Sequence, residues 1–76
     1  MNQERQKALA EIQGQLDALV SSLEELLAKE EVYRDNIPKE LHDSNDYEKA
    51  AEICELLRDA LGSLEETATC IESAQE

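Results

Sequence analysis

The chain has 76 residues, 7 Lys plus Arg against 19 Asp plus Glu, a formal net charge of −12, two tyrosines, no Phe or Trp, two glycines and one proline. One small domain spanning 1–76 is the most it can form, and a chain so short and so charged cannot enclose a substrate-sized pocket in its own core, which argues against a self-contained enzyme. The scarcity of Lys and Arg argues against direct nucleic-acid binding, which rests on basic groups neutralising phosphates, and against anionic membrane surfaces, which select basic interfacial helices.

From Met1 to Asp17 the apolar residues are interrupted by Glu11, Gln13 and Gln15. That leaves no leader-like apolar core, and nothing approaches the ~18 apolar residues of a membrane span. A cytoplasmic location is the expectation. In the first half, Leu9, Ile12, Leu16, Leu19, Leu23 and Leu26 step by three and four, the spacing of a heptad seam. With Leu9 as position a, Val20 and Leu27 fall at e and widen the stripe toward the three-position face of a bundle helix. Glu30 then takes position a, Tyr33 position d and Ile37 position a, so the seam has one polar interruption before the proline. Glu30 either turns outward or meets a basic group of a partner.

Pro38 cannot lie inside a helix, and it moves Ile37 out of helical dihedrals, so the first helix is expected to end near Asp35 or Asn36. Pro38 to Leu41 fits a single short turn, with Leu41 covering the open end of the core beside Ile37 and Tyr47. The second helix has two competing caps: Asn45, with Glu48 three residues on as in a capping box, and Ser44. From Tyr47 the seam resumes through Ala50, Cys54, Leu57, Leu61, Leu64, Ala68 and Ile71. Ile53, Ala60, Thr67 and Ala74 at g, with Leu56 at c, form a second face of smaller residues. Gly14 and Gly62 fall on polar positions, where they are tolerated at a cost and carry no function.

The sequence therefore predicts an all-α protein, an antiparallel helical hairpin with long helices at about 4–35 and 46–74 joined by a loop at 36–45. A hairpin covers one stripe per helix, so Val20, Leu27, Ile53, Leu56 and Ala60 are expected to form a dimer interface that pairs two hairpins into a four-helix bundle. A trimer or a bundle with a different chain is the alternative.

Sites for chemistry are not expected. The paired carboxylates Glu24-Glu25, Glu30-Glu31 and Glu65-Glu66 fall mostly on solvent-facing positions. The only histidine, His42, lies in the loop, outside the Glu-x-x-His pattern of a di-iron bundle. Asp43-Ser44-Asn45-Asp46 lacks the glycine of a calcium loop, and its twelfth position is Cys54 rather than Glu. Cys54 reads as a small core hydrophobe. Cys70 reads as exposed and able to form an intermolecular disulfide on oxidation, and within one helix the two are roughly 24 Å apart. No catalytic residue, metal, cofactor or small-molecule substrate is expected.

Tyr33, Asn36, Ile37, Pro38, Leu41 and Tyr47 gather both tyrosines around the only proline, as a lock on the loop end of the hairpin or as a patch that recognises a partner protein. The run Tyr33-Arg34-Asp35-Asn36-Ile37-Pro38-Lys39-Glu40-Leu41, followed by Ser44 and Tyr47-Glu48-Lys49-Ala50-Ala51-Glu52, resembles short acidic helical proteins of bacteria and their phages that carry a Tyr-x-x-Asn-hydrophobic-Pro-x-x-Leu segment. The match covers about the second half of the chain. The resemblance implies a bacterial or mobile-element setting and brings no catalytic residue with it. The expected function is a non-enzymatic homodimeric interaction or assembly module. The alternative is an acidic mimic of nucleic acid that binds and inhibits a basic protein. A third possibility is a chaperone-like hairpin whose stripe a different chain covers.

Overall fold

In a computed structural model, which describes residues 2–75 of the 1–76 span, helix α1 (Gln3–Asp35) and helix α2 (Asn45–Ala74) pack antiparallel, with one 3₁₀ turn, Lys39–Leu41, between them. The expected all-α hairpin is the fold. It is a rod of 60 × 14 × 13 Å. Its radius of gyration is 17.4 Å, against about 11 Å for a compact chain of this length. Among the described residues no helix is long and apolar enough to cross a membrane.

Local chemistry sets the ends. Asn2 accepts the backbone N–H of Arg5 at 2.9 Å and caps α1, with Glu4 in the first turn facing the positive helix end. At the far end the backbone N–H of Asn36 returns to the Val32 carbonyl and that of Ile37 to Arg34, closing the last turn before Pro38 leaves the helix at ψ 149°. Ser44, in extended conformation, caps α2 by accepting the Tyr47 N–H at 3.3 Å. The helix thus starts at Asn45, and Asn45 itself is its first residue rather than its cap.

Half-buried and buried positions trace the seam. On α2 they are Tyr47, Ala50, Cys54, Leu57, Leu61, Leu64, Ala68 and Ile71, the a and d positions that the sequence spacing marks, with Ala51 beside them. On α1 the inward rows are a (Leu9, Leu16, Leu23, Glu30) and e (Gln13, Val20, Leu27, Arg34). This corrects two expectations. Val20 and Leu27 face the hairpin's own seam, half-buried, instead of standing free for a dimer partner. Conversely, Ile12, Leu19, Leu26 and Tyr33 at d, expected inside, are exposed, Leu19 and Leu26 each at 56%. The a/d and a/e pairs compete for one partner helix, and the a/e choice also brings Glu31 at position b within 2.7 Å of Arg58 across the helices.

Among the described residues only Cys54, Ala50 and Ala68 are buried outright, at 0, 2 and 9% exposure, and all three are small. Small residues on α2 let the helices approach closely, but no large side chain becomes fully enclosed. Gln13, one of the polar residues in the seam, holds Asp17 with its amide nitrogen at 3.3 Å and leaves its oxygen unpartnered.

Two stability outcomes follow, both readable by urea unfolding. Ser44→Ala removes the α2 cap and should cost about 1 kcal/mol. Gly14 and Gly62 are mid-helix with nothing within 4 Å of where a Cβ would stand, so Gly14→Ala and Gly62→Ala should each stabilise by about 0.5–1 kcal/mol.

Candidate functional site

The loop end is the one place where aromatic and polar groups meet. Tyr33, Asn36, Ile37, Pro38 and Leu41 line one shallow depression, together with Ser44 and Asp46. Tyr47 is turned away from it, half-buried, and stacks on His42 with ring centroids 4.1 Å apart and planes 16° from parallel. His42 Nε2 lies 3.3 Å from the Ile37 carbonyl, so the ring ties the start of the loop to the start of α2. Leu41 does not cover the core: it is 53% exposed, because the 3₁₀ turn points it outward while His42 takes the inner place. Tyr33 is equally exposed and lines both this depression and a second surface. On sequence alone His42 is weighed only as a metal ligand and left out of the loop lock, although it lies within five residues of Tyr47.

That other surface runs the length of the rod. A groove of about 650 Å³ between the helices is lined by Leu26, Lys29, Tyr33, Lys49, Ala50 and Ile53, with Glu30, Asp46 and Leu57. It shows that the d row of α1 and the g row of α2 share one side of the hairpin. The Glu31–Arg58 pair marks the opposite side, where the b row of α1 meets the e row of α2. Because both seams keep a seven-residue register, the two sides stay distinct along the helices.

Their composition differs sharply. On the groove side, Ile12, Leu19, Leu26 and Tyr33 of α1 face the same way as Ile53, Ala60, Thr67 and Ala74 of α2. The next rows outward are Ala8, Gln15, Ser22 and Lys29 on α1 and Lys49, Leu56, Ser63 and Cys70 on α2. Acidic residues are sparse here: Asp46, at the loop end of the α2 row, and Glu30, from the seam, are the carboxylates that line the groove, and these rows hold no other between 8 and 33 or between 49 and 74. Thr67 spends its hydroxyl on the Ser63 carbonyl at 2.9 Å, which leaves its methyl as the free group. The opposite side carries Asp17, Glu24, Glu31, Glu65 and Glu72.

Of the residues expected at a dimer interface, Ile53, Leu56 and Ala60 lie on the groove side, and Val20 and Leu27 lie in the intrachain seam. Among the described residues there is no group of His, Cys, Asp and Glu that could hold a metal ion. Cys54 is enclosed and Cys70 is exposed, both as free thiols. The Arg34 guanidinium is pushed above its ordinary range, first by its hydrogen bond to Asp35 at 3.0 Å, and so stays charged at any working pH. No family model, curated protein or solved structure matches the chain, so what the surface can do is read from its own geometry.

The stack and the exposed tyrosine separate experimentally. Tyr47→Ala should lower unfolding free energy by 1 kcal/mol or more, from lost stacking and burial, whereas Tyr33→Ala should leave the folded hairpin within about 0.5 kcal/mol. Equal losses would place both rings in the lock.

Proposed function

We propose that the chain is a cytoplasmic, non-enzymatic protein of a bacterium or phage that works as a homodimeric helical bundle, a small interaction or assembly module. The observation that carries this is the exposed row Ile12, Leu19 and Leu26, continuous with Ile53 and Leu56. Monomeric proteins seldom leave so long an apolar strip uncovered, and a hairpin with no large side chain fully enclosed needs a second layer to gain a core. Two hairpins stacked on this strip make a four-helix bundle.

A second reading is supported by the segregation of charge. With the apolar face occupied, Asp17, Glu24, Glu31, Glu65 and Glu72 remain outward as a row of carboxylates along the rod. Such a row suits a basic protein surface, as a nucleic-acid mimic would. The two readings respond to salt in opposite senses. Screening relieves repulsion between chains that each carry −12, so an apolar dimer should tighten between about 0.05 and 0.5 M salt, while a complex with a basic partner should weaken steeply. Sedimentation equilibrium across that range, with helicity followed against concentration, should show a dimer whose helicity falls on dilution. A folded monomer at every concentration would refute the homodimer.

A further inference from the structure

Helix α1 carries one apolar row more than a single partner helix can cover, and the hairpin encloses the less apolar choice. Around α1 the rows run d, a, e, so with the a row central either neighbour can complete the seam. The e row that faces α2 contains Gln6, Gln13 and Arg34 beside Val20 and Leu27, and Gln13 Oε1 is buried there without a partner. The d row left outside is, from 12 to 33, Ile12, Leu19, Leu26 and Tyr33, exposed to between 42 and 56%. A buried oxygen with no donor and an uncovered apolar row are two costs of the same choice.

We propose that α1 is a two-position helix: with no second copy on its d row it rolls about its own axis and turns that row into the seam against α2, and a docked copy holds the packing described above. This rests on the homodimer reading and couples assembly to the internal packing of each hairpin. The motion is small. Exchanging the e row for the d row takes one-seventh of a turn, roughly 50°, which moves each α1 Cα by about 2 Å on the helix cylinder. The backbone hydrogen bonds of α1 travel with it, and the connection at 36–44 absorbs the shift. The exchange is favourable for a hairpin alone. Gln13 and Arg34 gain water, Val20 and Leu27 are given up, and Ile12, Leu19 and Leu26 are covered in their place. What pins the present position is slight. Between the helices Arg58 donates to Glu31 at 2.7 Å, with both side chains partly in solvent, and Gln6 donates to the Gln75 carbonyl at 3.4 Å; a solvated ion pair adds little. A copy seated on the d row already covers it, which removes the gain from rolling and selects the present position.

The test reads the two rows by thiol labelling. Leu27→Cys reports the e row and Leu23→Cys the a row, which faces α2 in both positions; each is made in a Cys70→Ser background, Cys54 being fully enclosed. Maleimide labelling rates are measured along a dilution series on which sedimentation and helicity are also followed. Through the range where the dimer dissociates, Leu27→Cys should label at least about tenfold faster while Leu23→Cys keeps its rate. Adding Gln13→Leu makes the e row more apolar and removes the buried oxygen, so the Leu27→Cys rate of the monomer should fall back to within about twofold of that of the dimer. No rise at Leu27→Cys overturns the roll and leaves the homodimer standing. An equal rise at both positions with loss of helicity means that the monomer unfolds instead of rolling, which overturns it as well. A monomer at every concentration refutes the homodimer, and the roll is then decided by the same pair: Leu27→Cys about tenfold faster than Leu23→Cys upholds it, and equal protection overturns it.

Discussion

Two helices can hide only one stripe each from water, and the whole molecule is organised around that limit. A single seam holds α1 to α2, and its deepest points are Ala50, Cys54 and Ala68. Close approach comes from the smallness of these residues. The same smallness caps the apolar area that the seam removes from water, and with it the stability a lone hairpin can reach. Everything else is arranged around a core that is narrow by construction: the caps at Asn2 and Ser44, the ring stack at the loop, and the Glu31–Arg58 pair that bridges one flank.

Charge placement is the counterpart of that limit. Acidic residues crowd the b, c and f rows of α1 and the b, e and f rows of α2, where water solvates them at no cost to packing. Their scarcity on one side of a strongly acidic chain, where Glu30 and Asp46 are the carboxylates of the groove, is therefore informative in a way that the total charge is not. The total disfavours contact with phosphate polymers. The distribution defines which side of the rod another apolar surface can meet.

Much of this was legible in the residues. The period of α2 marked its inward row, because apolar residues fill a and d of that helix throughout while the second face beside them is mostly smaller residues. Pro38 and the Ser/Asn pair at 44 and 45 located the loop to within a residue or two. The first helix was harder for a physical reason. Leucine, isoleucine or valine occupies a, d and e together, so spacing alone cannot say which pair of rows meets α2, and the row with the cleaner pattern turned out to be the one left outside. A lock at the loop with Tyr47 in it was among the readings of the sequence, but the part of His42 was not, because an isolated histidine advertises chemistry before packing and its stack on Tyr47 depends on a 3₁₀ turn that points Leu41 outward.

The narrowness of the seam has a mechanical side. The seam runs along a rod 60 Å long, and its most enclosed points are Ala50 and Cys54 near the loop and Ala68 toward the termini. Bulk added at any of the three has no room inside the seam and forces the helices apart there, so the width of the rod is set in part by three of its smallest side chains.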